Sequence, residues 1–357
     1  MALRVLAVRR NSQNANSPSP LARTHALGFQ SPPKNPRPAA GGFVNIRAHA
    51  KINLYLDVLD KRPDGYHSIV SIMQSLGLCD ELTIRAGAVS SESAAVSLIC
   101  DDLTLPTDES NLVVKAAMLL MREYGIGQDI KVELTKRIPA GAGLAGGSSD
   151  CAATLFGINE LFQLNIPMDK LMEHGRTLGA DVPFNLVSGA GIFTALSEGI
   201  GEKLTPLPAH PDCHIVVVCP KIHVSTADAY ARLDAVKMGA AGQANDELVP
   251  KDILCDSAPR TLQAEGQGLA NLMMALSAGD VAQISANFFN IFTFVTADIH
   301  PEIFRIIREL KGLGALGASM SGTGSAVFAY FADENKAKAA CDKFPEHKVF
   351  LTYPKRG

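Results

Sequence analysis

From Val44 to Val58 every second residue is apolar. Val44, Ile46, Ala48, Ala50, Ile52, Leu54, Leu56 and Val58 alternate with Asn45, Arg47, His49, Lys51, Asn53, Tyr55 and Asp57. A period of two marks an extended strand with one face in a core. A strand of this length needs partners for its amides and carbonyls, so it demands a sheet. The alternation predicts one strand, or two joined by a bend, with Lys51 and Asn53 together on the polar face. The turn residues Pro63 and Asp64-Gly65 follow, so YHSIVSIMQSLGL is expected to return antiparallel. DELTIRA reads as another strand.

The stretch before this strand has a different character. Residues 1 to 42 carry five Arg and one Lys but no acid, and Pro18, Pro20, Pro32, Pro33, Pro36 and Pro38 interrupt them. Such a segment cannot bury enough apolar surface to offset its ordering entropy. Residues 1–43 therefore read as a leader outside the fold. It is either a disordered tail or misassigned start, with a cytoplasmic protein behind it, or a transit peptide for a plastid-type organelle. The remainder divides at the Pro206–Pro211 break into 44–207 and 208–357.

Composition closes off several classes. The chain of 357 residues has 33 basic and 36 acidic residues, a balance unlike a nucleic-acid coat. It has no Trp and 6% aromatics, which disfavours a base-stacking platform. Seven Cys without a CxxC pair argue against a disulfide framework or a zinc ribbon. No apolar run reaches membrane-spanning length. A small-molecule partner is expected, with no nucleic acid and no membrane.

Downstream, NLVVKAAMLLMREYG reads as a helix ending at Gly125, and DIKVELTKRIP as a strand. SSDCAATLFGINELFQL reads as a helix with Ser148 or Ser149 as N-cap and Asp150 in its first turn. PMDKLMEHGRTLG is helical, and a strand pair surrounds Glu198-Gly199. In the second half HIVVVCP, SAVFAYF and KVFLTY are strands, while TADAYARLDAVK and ENKAKAACDKF are helices. Further helices are expected over 269–278, 280–292 and 301–311, with a long loop over 239–268. Strands and helices mix without regular βαβ units, so the fold class is α+β.

Gly141, Gly143 and Gly146 spell GxGxxG, a weak signal alone. A dinucleotide fold would place it directly at a strand end with an acid about 20 residues on, and KRIPA intervenes. The Walker A form fails because Gly147 stands in place of Lys. What remains is general: converging backbone amides and a following helix N-terminus bind phosphates. Ser148 and Ser149 add hydroxyls for a phosphate or Mg²⁺. A second small-residue loop, Gly317 to Ser325, reads as a turn that could approach an anion. Asp181, before Val182-Pro183, sits at a helix start, and by itself reads as a cap. His210 and His214 are separated by Pro211, so no metal site is expected there.

Three motifs, PAGAGLAGGSS, GADVPF and MSGTGSAVF, in this order, make the chain similar to the GHMP kinases over about residues 44 to 357. AKINLYL, KRPDGYHSI and PKIHVSTADAY resemble the branch that acts on a cytidine-bearing alcohol. Mevalonate, homoserine and galactose kinases lack DGYH there. The resemblance implies an N-terminal domain like ribosomal protein S5 domain 2 and a ferredoxin-like C-terminal domain. It implies ATP and Mg²⁺, and a monomer or homodimer. By it, Asp181 is the base and Lys51 its partner. Pro139, Ala140, Gly141, Ala142, Gly143, Leu144, Ala145, Gly146, Gly147, Ser148 and Ser149 hold the ATP phosphates. Asn111, Leu112 and Lys136 lie on the adenine side. Asn53, Tyr66, His67, Thr226 and Tyr230 hold substrate, with His67 stacked on cytosine, and Ser321 to Gly324 support the site. Ala145 departs from the commoner Gly. A mevalonate- or homoserine-type kinase, a non-catalytic sensor and an oxidoreductase are the competing readings.

Overall fold

The computed structural model describes residues 37–38, 42–89, 94–240 and 265–356. Most of the leader and the centre of the 239–268 loop lie outside them. The alternating segment forms β1 (Phe43–Lys61). Its partner β2 (His67–Val89) runs antiparallel after a turn closed by the Arg62 amide on the Tyr66 carbonyl, 2.7 Å. DELTIRA is the second half of β2, not a separate strand. The pairing steps from His49–Cys79 to Lys51–Ser75, which leaves Leu76, Gly77 and Leu78 as a bulge. The bulge frees β2 amides for the chain end: Gly77 donates to the Tyr353 carbonyl and Leu78 to Thr352 Oγ1.

The bulge also divides the other edge of β2. Residues 69–74 pair with β5 (Thr194–Gly199), and the far half pairs with β4 (Gln128–Thr135). β3 (Val96–Cys100) joins β4 in parallel, β6 (Lys203–Pro206) joins β5, and the short β8 (Phe289–Asn290) joins β1. Four helices cover this sheet: α1 (Leu112–Tyr124), α2 (Gly146–Leu161), α3 (Met168–Leu178) and α4 (Val182–Gly189). Their apolar sides meet Ile84, Ile130 and Val132 in one core.

The second sheet contains β7 (His214–Cys219), β9 (Gly317–Met320), β10 (Val327–Phe331) and β11 (Lys348–Thr352) in the antiparallel order β11-β7-β10-β9. This is the ferredoxin-like order that the resemblance implied. Helices α5 (Thr226–Ala240), α6 (Glu265–Ala278), α7 (Val281–Ala286), α8 (Phe292–Ile299), α9 (Glu302–Gly312) and α10 (Glu334–Cys341) accompany it. The helix expected over 280–292 breaks after Ala286, because Phe289 and Asn290 pair with Tyr55 and Leu56 of β1. The loop is shorter than 239–268, since α5 runs to Ala240 and α6 begins at Glu265. β3, β8 and β9 were not anticipated.

β1 departs from its expected two-faced character. Ala48 packs in the first core, while Ile52, Leu54, Leu56 and Val58 pack in the second with Phe292 and Phe328. The polar face is covered as well: Lys51, Asn53 and Asp57 are buried. Alternation reports that two faces differ, but not that both are covered. Among the described residues no helix is long and apolar enough to cross a membrane.

Helix α2 lies close on the sheet because Gly157 faces β1 and β2. A Cβ there would come within 2.6 Å of the Ile84 side chain and 2.7 Å of Ile46. Gly157→Val is expected to lower stability by about 1–3 kcal/mol through overpacking. Urea unfolding monitored by circular dichroism checks this, and an unchanged midpoint would contradict the packing.

Candidate active site

The glycine loop links β4 to α2. Helix α2 starts at Gly146, so the expected serine cap is replaced by Ala145, whose φ of +57° is left-handed. That conformation costs a residue with a Cβ about 1–2 kcal/mol, which gives the commoner Gly a physical reason. Ser148 thus lies inside the first turn and Asp150 beyond it. The loop's carbonyls are held from outside. Ala142 O accepts the Ala326 amide at 3.0 Å, Gly143 O accepts Ser321 Oγ at 2.9 Å, and Leu144 O accepts the Lys51 amide at 3.1 Å. These are the carbonyls four residues before Gly146, Gly147 and Ser148, whose amides have no partner among the described residues. An anion is what such a cradle fits.

The contact with the second loop is tight. A Cβ on Gly143, at φ +79°, would fall 2.2 Å from the Ser321 carbonyl oxygen. Asn290 holds that loop by donating Nδ2 to the carbonyls of Met320 and Gly322, 2.7 and 2.8 Å. The expected turn is therefore shorter than Gly317–Ser325, since Gly317–Met320 is strand β9.

Beneath the loop lies a buried ion triad. The Lys136 ammonium bonds Asp80 at 2.5 Å and Asp150 at 2.7 Å. Asp80 Oδ1 also accepts the amides of Arg137 and Ile138, which fixes the approach to the loop. Burial raises the Asp150 carboxyl to about 7, against the pull of Lys136 and with the repulsion of Asp80. The Lys136 ammonium is thus engaged by carboxylates. Asn111 is the N-cap of α1, with Oδ1 accepting the Val113 amide and Nδ2 donating to Pro106 O. Leu112 flanks the loop, 3.9 Å from where a Gly147 Cβ would lie.

Lys51 is 3% exposed and donates to Asn53 Oδ1 at 2.7 Å. Its Nζ lies 3.5 Å from Asp181 Oδ2. Asp181 occupies the N-cap position of α4, yet its side chain caps nothing, and 32% of it is exposed. The capping role suggested by its place in the sequence is therefore absent. The Asp181 carbonyl instead accepts Asn185 Nδ2 at 2.8 Å. The turn before it adjoins the glycine loop: a Cβ on Gly179 would lie 3.7 Å from Ser148 Oγ. Loop, lysine and carboxylate thus meet. The Asn53 amide is engaged on both sides within the protein. Its Oδ1 also accepts the Gly322 amide at 3.0 Å, and Nδ2 donates to Ser71 Oγ at 2.8 Å. Ser149 turns away from the loop and donates to the His49 carbonyl at 2.8 Å.

A second group lies along α5. The His67 ring stacks on Tyr230 with centroids 4.9 Å apart, and its Nε2 lies 2.7 Å from Asp234 Oδ1. Tyr230 in turn meets Phe292 edge-on. Burial, reinforced by the charge of Asp181, pushes the Tyr230 hydroxyl up to about 12. Tyr66 is 62% exposed, and Thr226 Oγ1 lies 3.3 Å from Thr323 Oγ1. One face of His67 is therefore already taken by a protein ring. Sequence reasoning missed Asp234, although it stands one helical turn beyond Tyr230. It also missed Asp80, whose signal is an acid, followed by Glu81, that interrupts the apolar run within β2, and His223, which flanks Gly141.

The triad makes stability depend on pH. The folded chain holds the Asp150 proton more tightly than an unfolded chain, whose carboxyl titrates near 3.8. Its stabilising contribution is complete below that value and is lost as pH rises through about 7. Asp150→Asn should flatten this loss. Urea midpoints at about pH 5 and about pH 8 test it, and equal slopes in both proteins would exclude the ionisation.

The family of GHMP kinases N terminal domains matches residues 111–197, and that of GHMP kinases C terminal domains matches 269–349. The chain is 40% identical to a 4-diphosphocytidyl-2-C-methyl-D-erythritol kinase of Lachnoclostridium phytofermentans over 307 residues, 86% of this chain and 93% of that protein. It is 39% identical to the enzyme of that name from Acetivibrio thermocellus, over 87% of this chain and 98% of the relative. A crystal structure of 4-(cytidine 5'-diphospho)-2C-methyl-D-erythritol kinase superimposes with a TM-score of 0.66 at 28% identity, covering 87% and 100% of the two chains. The mevalonate kinase of L. major shares the fold, with a TM-score of 0.68 at 16% identity over 90% of this chain and 99% of that one. With both of its halves matched and its cradle, lysine and carboxylate assembled in one place, the chain belongs to the GHMP kinases, ATP-dependent kinases of small molecules.

Proposed function

We propose that the protein transfers the γ-phosphoryl group of ATP to the C2 hydroxyl of 4-diphosphocytidyl-2-C-methyl-D-erythritol, giving the 2-phosphate and ADP in the non-mevalonate route to isoprenoids. The observation that carries this reading is the Asp181 carboxylate: it caps nothing, is partly open to solvent, and faces Lys51 at 3.5 Å beside the glycine loop. Phosphoryl transfer needs positioning, neutralisation of charge and a proton acceptor. The unpaired amides of Gly146, Gly147 and Ser148 would hold the phosphates. Asp181 takes the C2 hydroxyl proton as that oxygen bonds phosphorus and the bond to ADP breaks. Lys51, fixed by Asn53, orients Asp181 and offsets the charge. Mg²⁺ prefers oxygen ligands with waters retained. Ser148, whose hydroxyl has no partner among the described residues, and Asp181 would supply such oxygens, and the ion would neutralise phosphate charge.

Cytidine recognition rests on Tyr66 and His67. Tyr66 offers an exposed ring face. Because Tyr230 covers one face of His67 and Asp234 holds Nε2, the opposite ring face and the Nδ1 edge are what the imidazole would offer to the base. Thr226 and Tyr230 line the same region from α5.

A panel of 4-diphosphocytidyl-2-C-methyl-D-erythritol, mevalonate, homoserine and galactose with ATP and Mg²⁺ tests the assignment. Turnover confined to the cytidine substrate is expected, and a preference for mevalonate or homoserine would overturn it. Asp181→Asn should lower kcat by about 10²–10⁴, with substrate Kd within about threefold. Retention of more than about a third of kcat in a folded variant would remove Asp181 as base. His67→Ala should weaken the cytidine substrate by about tenfold, one lost hydrogen bond, and spare an ATP analogue. Equal weakening of both ligands would place His67 elsewhere.

A further inference from the structure

Behind the site lies a cavity of about 410 Å³, within the range of about 300–1,000 Å³ that small ligands occupy. Its lining includes Ser149, but not Lys51, Asp181 or the loop from Gly141 to Ser148. Each catalytic element nonetheless turns its other side to it. β1 contributes His49, two residues before Lys51. Helix α2 contributes Ser149 and Phe156, and α4 contributes Asn185, one turn beyond Asp181.

The chemistry of the walls is specific. Asn185 is 7% exposed, and its Oδ1 is buried without a hydrogen-bond partner. The amide orientation is fixed, because only the NH₂ group can donate to the Asp181 carbonyl at 2.8 Å. Oδ1 is therefore an enclosed acceptor without a donor on a residue that lines the cavity, and leaving it unmet is costly. Lys355 forms no ion pair among the described residues, and its ammonium lies 5.5 Å from the centre of the Phe193 ring. Arg47, whose Nε lies 4.0 Å from the Glu81 carboxylate outside the lining, adds a second cation, while Glu160 is the only acid in the lining. Burial, with the positive charges of Lys355 and Arg47, holds the His49 imidazole below its ordinary value. Ile46, Ala152, Phe156 and Phe193 supply the apolar surface.

We propose that this cavity is a second ligand site, for a small anion that carries an apolar body and a hydrogen-bond donor, and that its occupancy acts on Asp181 through Asn185. The cations take the charged end, the apolar wall takes the body, and the donor meets Asn185 Oδ1. A ligand that moves Asn185 moves the Asp181 carbonyl bonded to its amide. The effect is then on turnover more than on ATP affinity.

1-Anilinonaphthalene-8-sulfonate has all three features and reports burial by its fluorescence. Titrated into the full chain, it should bind saturably at one site per chain and remain bound with a saturating ATP analogue. Lys355→Met should weaken binding by about tenfold, the loss of one charge-assisted contact. Gly189→Trp should abolish it. Gly189 borders the cavity, and nothing lies within 4 Å of a Cβ placed there, so the substitution fills the cavity without disturbing the core. Both variants should keep the wild-type melting temperature and basal turnover. Saturating probe should change wild-type kcat by about threefold or more at constant KM for ATP, and leave Gly189→Trp unaffected. Displacement by the ATP analogue, binding indifferent to both substitutions, or turnover unchanged at saturation each overturns the proposal. The fluorescence readout needs no turnover, so it stands apart from the choice of alcohol substrate.

Discussion

A buried ammonium needs partners, and Lys51 is the group on which the site depends. At 3% exposure it cannot be solvated, and an unpaired charge there would be costly or would neutralise. Asn53 and Asp181 meet that demand. Asn53 can serve only because Ser71 orients its amide, and the Gly322 amide shares its oxygen. The requirement of one side chain thereby links β1, β2, the second loop and the turn before α4. The same strand passes through two cores, which is why its polar side chains are enclosed at all.

The glycine loop obeys a related constraint. Backbone amides converge on an anion only if the carbonyls point elsewhere, and here three different groups hold them: Lys51 N, Ser321 Oγ and Ala326 N. Ser321 belongs to the second loop and Ala326 follows it directly, just before β10. The phosphate cradle is therefore shaped partly by the C-terminal sheet, which explains the close approach of Gly143 to Ser321. The triad of Asp80, Lys136 and Asp150 holds the loop from below at an electrostatic cost visible in Asp150.

Much of this was legible in the residues. The alternation of β1, the Arg62–Tyr66 turn, the helix ending at Gly125 and the strand pair around Glu198-Gly199 follow from period and turn chemistry, and the structure has them. Lys51 and Asp181 were singled out through the family motifs, and the structure brings them together. Other features carry no local signal. The covering of both β1 faces, the break after Ala286 and the pairing of β8 arise from contacts between distant segments. The expected serine cap failed because Ala145 takes a left-handed conformation that only the loop's outside contacts explain. Ser149 and His67 illustrate a further limit. Motif position locates a side chain, but not which of its faces another group has already occupied.

The dual membership of β1 has a consequence for how the protein comes into being. Its first strand is made early, yet half of that strand's apolar surface has no partner until Phe292 and Phe328 exist. The Ala142 and Gly143 carbonyls likewise await Ser321 and Ala326. During synthesis the N-terminal half must therefore wait with an exposed edge, a state prone to wrong associations. The phosphate cradle takes its shape only once Ser321 and Ala326 have been made and can reach those carbonyls.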